Sequence, residues 1–156
     1  MPIRPAQHGL RRMPRCAYFL VNDGARMNFL IVDDDADMRL TLRDMLESLG
    51  AARVWAVADG NKALERMRAL EFGRSDVVLA DWNMQPMSGL ELLDAVRTDR
   101  RLCQVYFVMI TGDAGHERVM TARERGVNDY IVKPFELLAL RRKLGTFLPA
   151  PRGVRG

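Results

Sequence analysis

The chain has 156 residues, 48% of them hydrophobic and 28% charged, which fits one domain of ordinary globular composition and excludes a disordered or collagen-like chain. The formal net charge of +4 is confined to residues 1–27, where Arg4, Arg11, Arg12, Arg15 and Arg26 face only Asp23; the 24 basic and 20 acidic side chains of the whole chain therefore leave the remainder neutral. A neutral body lacks the surplus of cations that holds nucleic acid, and no apolar run approaches the roughly 18 residues of a membrane span. Cys16 and Cys103 are too few for a disulfide framework, so a reducing cytoplasm is expected.

Residues 1–27 hold Pro2, Pro5 and Pro14 and no period that continues into the rest. They read as a basic, flexible extension; an over-long start before Met27 and an organelle transit peptide are the alternatives. From Asn28 the texture changes. Five short apolar runs, 29–32, 53–57, 77–80, 105–110 and 130–132, alternate with amphipathic stretches. This is the pattern of a β/α repeat with a parallel sheet. Met38, Leu42, Met45, Leu46 and Leu49 recur at helical spacing before Gly50, a helix stop. Asp59-Gly60 opens a second helix with Ala63, Leu64, Met67 and Leu70 on its apolar face. Further helices are expected near 88–98, 115–125 and 135–147. The units end near Leu148, and residues 149–156 form a short tail.

In an open parallel sheet, ligands bind beyond the carboxyl ends of the strands. There the sequence places Asp33-Asp34-Asp35, Asp81, Thr111 and Lys133-Pro134. Singly, each has an ordinary reading: Asp35 or Asp37 as a helix N-cap, Thr111 in a turn, Lys133 in solvent. Together they are harder to dismiss, because two unit charges 4 Å apart repel by about 4 kcal/mol at an effective dielectric near 20. A magnesium ion held by one or two carboxylates, with positions left for phosphate oxygens, would relieve that repulsion. Asp33, Asp35 and Asp37 also match the first three ligand positions of an EF-hand, but Met38 stands where the loop needs glycine. The same Asp-x-Asp spacing is shared with haloacid-dehalogenase phosphatases, but Asp37 stands where those want Thr or Val.

Ile31-Val32-Asp33-Asp34-Asp35, Asp81-Trp82-Asn83-Met84, Ile110-Thr111-Gly112 and Tyr130-Ile131-Val132-Lys133-Pro134-Phe135 together resemble the receiver domain of two-component response regulators, in order and spacing over residues 28–148. The second and fourth stretches are similar to the single-domain chemotaxis members. The resemblance implies a doubly wound α/β fold, a flavodoxin-like five-stranded parallel sheet of order 2-1-3-4-5. It implies Asp81 as phosphoacceptor, and Asp33, Asp34, Asp81 and the backbone carbonyl of Asn83 as magnesium ligands. Thr111 becomes the switch hydroxyl, Lys133 the phosphoryl contact, and Tyr130 the aromatic that turns inward. Lys133-Pro134 corresponds to a cis peptide. Asn83 and Asp113 are expected to flank the water that ends the signal. Gln85 departs from the pattern, which places proline there; Pro86 follows one residue later.

The expected function is a stand-alone receiver, not an enzyme in the ordinary sense, that takes a phosphoryl group from a histidine kinase or histidine phosphotransfer protein. It would then present a switched surface to a downstream protein target. The alternative is a phosphorylation-independent adaptor built on the same fold. Arg141, Arg142 and Lys143 read as a solvated helix end or as part of a docking face.

Overall fold

The computed structural model describes residues 27–113 and 115–150. The strands are β1 (Asn28–Val32), β2 (Arg53–Val57), β3 (Val77–Asp81), β4 (Tyr106–Thr111) and β5 (Asp129–Val132). They alternate with helices α1 (Ala36–Ser48), α2 (Gly60–Ala69), α3 (Gly89–Thr98), α4 (His116–Glu124) and α5 (Leu137–Leu144). All pairings are parallel, in the order β2-β1-β3-β4-β5. The expected doubly wound fold is thus the observed one.

The central strands explain the layering, because alternate side chains leave a strand on opposite faces. Leu30, Val32, Val78, Ala80, Phe107 and Met109 join one core with Ala63, Leu64 and Met67 of α2 and Leu92, Leu93 and Val96 of α3. Phe29, Ile31, Val77, Leu79, Val108 and Ile110 join the other with Leu42 and Leu46 of α1 and Leu140 and Leu144 of α5. At roughly 1.5–3 kcal/mol for each large side chain taken out of water, these two layers outweigh every local preference. Helix α4 is the exception, since Ala122 is its one buried residue.

Most boundaries follow local chemistry. The carboxylate of Asp35 accepts from the Asp37 and Met38 amides and caps α1, while Asp37 lies in the first turn without capping it. Asp59 caps α2, and Ser88 forms a reciprocal capping box with Glu91 at α3. Gly50 follows α1 at φ 94°, a left-handed value that costs glycine nothing. The last helix is shorter than its apolar spacing suggests. It gives way at Gly145 to a 3₁₀ turn, Gly145–Phe147, because glycine supports the α conformation poorly. The basic extension and residues 151–156 lie outside the described residues.

Candidate functional site

Strands β3 and β4 each run one residue beyond their apolar stretch, so Asp81 and Thr111 are the final strand residues. The ladder then holds the residues that follow. The Asp33 amide donates to the Val57 carbonyl at 3.2 Å, Trp82 to Ile110 at 2.8 Å, and Lys133 to Thr111 at 2.8 Å. Four adjacent strand ends thereby fix Asp33, Asp81, Thr111 and Lys133 at one edge. Gly89 is required behind them. A Cβ there would stand 2.3 Å from the Asp81 carbonyl oxygen and 2.8 Å from the Met109 sulfur, so only glycine lets the start of α3 approach the end of β3.

Asp33, Asp34 and Asp81 place carboxylate oxygens within 4.8 Å of one another; Asp33 and Asp81 are buried and Asp34 is exposed. Lys133 Nζ lies 3.3 Å from Asp81 Oδ1 and 3.5 Å from Asp33 Oδ2. One ammonium against three carboxylates leaves the site short of positive charge. The Asp33 carboxyl sits above the ordinary carboxylate value, chiefly because burial disfavours its charge. The bond from the Asp35 amide to Oδ1 opposes that rise, the Asp81 charge adds to it, Lys133 opposes it, and Asp34 adds a smaller push. Asp33 Oδ2 is buried with no hydrogen-bond partner among the described residues, since Lys133 is near enough to attract it without bonding it. An orphaned carboxylate oxygen facing two further carboxylates fits a hard divalent cation with oxygen ligands. Asn83, two residues past Asp81, is exposed.

The Thr111 hydroxyl donates to the Asp113 carbonyl at 3.0 Å and accepts from the Asp113 amide at 3.1 Å, so it is occupied by its own turn. A Cβ at Gly112 would meet nothing within 4 Å, which leaves that turn uncrowded. Tyr130 is half-buried against the core. Lys143 Nζ stands 5.2 Å from its ring centroid and 2.8 Å from Asp129 Oδ1. Lys143 is thus engaged with β5 and is more than a solvated helix end. The Lys133-Pro134 bond is cis, and so is Gln85-Pro86, which the sequence did not suggest. That loop is reabsorbed before the Ser88 cap.

Two arginines carry no periodic signal in the sequence, one beside the site and one at the opposite edge of the sheet, before β4 and β5. Arg118, in the first turns of α4, lies with its guanidinium carbon 5.1 Å from the Trp82 ring centroid. Its Nε is 3.6 Å from Asp113 Oδ2. At the α3 corner, the Arg97 guanidinium donates to the carbonyls of Gly126, Cys103 and Val105 and to Asn128 Oδ1.

The response regulator receiver domain family matches residues 29–145. The chain is 38% identical over 118 residues to a chemotaxis protein CheY of Pseudomonas aeruginosa, an alignment covering 76% of this chain and 93% of that protein. It is 39% identical over 122 residues to the Helicobacter pylori chemotaxis protein CheY1, covering 78% and 97% respectively. Among solved structures, Vibrio cholerae CheY4 superposes with a TM-score of 0.72 at 29% identity, covering 80% of this chain and all of that one. The receiver domain of a sensor histidine kinase from Pseudomonas aeruginosa, which has a magnesium ion coordinated in its active-site cleft, gives 0.65 at 29% identity, covering 77% and 95%. With its sheet order, its strand-end carboxylates and these similarities, the chain belongs to the response regulator receiver family.

Proposed function

We propose that this receiver accepts a phosphoryl group from a phosphohistidine onto Asp81 and thereby switches a protein-binding surface. The observation that carries the reading is the Asp81 carboxylate held 3.3 Å from Lys133 and within 4.8 Å of the other two carboxylates of the cluster. A carboxylate is ionised at neutral pH and needs no base before it attacks. In the transfer, an Asp81 oxygen forms a bond to phosphorus as the bond from phosphorus to the donor nitrogen breaks. The nitrogen keeps the electron pair. We assign Asp33, Asp34, Asp81 and the backbone carbonyl of Asn83 as the residues that would hold magnesium, which when bound neutralises phosphoryl oxygens. Lys133 pairs with a further phosphoryl oxygen, so that the chain contributes position and charge.

The resting hydrogen bonds of Thr111 support a switch. In this reading the Thr111 hydroxyl exchanges the Asp113 backbone for a phosphoryl oxygen, and Tyr130 turns into the space released. The rest of the assignment is a histidine kinase or histidine phosphotransfer protein as donor, a downstream protein target, residues 28–148 as the functional unit and a cytoplasmic location. No helix of the described residues is long and apolar enough to cross a membrane.

The test is transfer from a radiolabelled phosphohistidine protein, followed by binding to whichever target is retained by the phosphorylated form. Transfer to the wild type and none to Asp81→Asn is expected. Target binding that survives Asp81→Ala unchanged would instead support a phosphorylation-independent adaptor.

A further inference from the structure

We propose that Arg118 is a positioning residue that prolongs the phosphorylated state by holding the Asp113 carboxylate away from the hydrolytic water; this rests on Asp81 being the phosphoacceptor. Trp82 adjoins Asp81, and its backbone is pinned by the bond to the Ile110 carbonyl. Asp113 lies two residues beyond Thr111, whose hydroxyl is bonded to the Asp113 backbone. Arg118 joins these two residues. Its guanidinium lies over the Trp82 ring at 5.1 Å, and its Nε faces Asp113 Oδ2 at 3.6 Å. Nη1 is shielded from solvent and has no hydrogen-bond partner among the described residues. A guanidinium N–H lying over an indole face accounts for that, since the ring's negative face takes the place of an oxygen acceptor.

The consequence falls on Asp113. Its Oδ1 accepts from the Gly115 amide at 2.8 Å, and its Oδ2 faces Arg118. In the resting protein Oδ1 is thus hydrogen-bonded and Oδ2 is ion-paired, in a side chain that stays 63% exposed. Hydrolysis of the acyl phosphate forms a bond from water oxygen to phosphorus and breaks the bond from phosphorus to the Asp81 oxygen. Asp81 leaves as carboxylate with the electron pair, and the water proton passes to solvent or to an acceptor beside the water. A freed Asp113 carboxylate is such an acceptor. Arg118 withholds it, and the stack on Trp82 anchors Arg118 where it can do so.

The experiment uses the full chain, labelled with acetyl phosphate and magnesium, and follows loss of the phosphoryl group after donor removal. Arg118→Met keeps an apolar stem over Trp82 and removes the charge. It is expected to shorten the lifetime about two- to fivefold, the range set by a partly exposed ion pair. Arg118→Lys is expected to restore most of it. In an Asp113→Asn background, Arg118→Met is expected to change nothing. A separate readout needs no phosphorylation: with Trp55→Phe, acrylamide quenching of Trp82 is expected to rise in Arg118→Ala. A wild type that takes no label would overturn both the phosphoacceptor reading and this proposal. Normal labelling with an unchanged Arg118→Met lifetime would overturn this proposal alone. So would an acceleration that persists in full with Asp113→Asn.

Discussion

Lys133 Nζ stands 3.3 Å from Asp81 Oδ1, closer than its 3.5 Å to Asp33 Oδ2, so a single ammonium bridges carboxylates delivered by two neighbouring strands. Its side chain retains 24% of its exposure, which makes the attraction stronger than that of a surface pair and weaker than that of a buried one.

Replacing Lys133 by Met leaves those carboxylates facing each other. The metal-free variant is expected to lose about 1–2 kcal/mol, as a partly buried pair broken on one side does. Magnesium affinity is expected to rise several-fold, because a competing cation has gone. Urea unfolding with and without magnesium, and a magnesium titration followed by tryptophan emission, check both. Weaker magnesium binding in the variant would contradict the account.

Asp33 gives a pH signature in the metal-free protein. Burial raises its native value above the ordinary 3.8, so the folded state binds a proton more readily than the unfolded chain. The associated stability is fully present below about 3.8 and is lost as pH rises through the elevated native value. Asp33→Asn removes this dependence while keeping an oxygen for the Asp35 amide. It is expected to be more stable than wild type at neutral pH without metal, with the gap closing in acid and no gain from magnesium. Unfolding free energies across that range, with and without magnesium, are the measurement.

In the proposed switch, Thr111 couples the site to Tyr130. With Thr111→Ala, phosphorylation is expected to persist, but the drop in Tyr130 accessibility to iodination that accompanies it in wild type is expected to vanish. Peptide mapping separates Tyr130 from the chain's other two tyrosines. A full drop in the variant would remove Thr111 from the switch.

Arg97 organises the corner where α3, β4 and the turn after α4 meet. Its guanidinium reaches Gly126, Cys103 and Val105 at 2.9, 3.0 and 2.8 Å. Asn128 Oδ1, which it reaches at 2.6 Å, also accepts the Phe107 amide. Arg97→Met leaves several acceptors unpaired and is expected to cost about 2–4 kcal/mol, measured as a lower urea midpoint. Phosphorylation of Asp81 should survive at temperatures where the variant is folded.

The β/α alternation was legible because Val, Ile, Leu and Phe cluster in runs that only buried strands need. The site was legible because a parallel sheet brings every strand end to one edge. Asp33, Asp34, Asp81, Thr111 and Lys133 could therefore be grouped without coordinates. Arg118 and Arg97 could not. Each acts across loops, on partners set by packing: Trp82 and Asp113 in one case, backbone carbonyls in the other. An arginine on an exposed helix face looks the same in sequence whether it meets solvent or an indole. Gly89 does not stand out in the sequence either, since its close approach to Asp81 depends on the seating of α3.

The central claim is that Asp81 receives the phosphoryl group. Incubating the full chain with acetyl phosphate and magnesium, trapping the acyl phosphate by borohydride reduction and mapping the product by mass spectrometry tests it most directly. The account predicts one phosphoryl group per chain, reduction at residue 81 only, and no product in Asp81→Asn. Modification at another carboxylate, or undiminished labelling in that variant, would contradict it.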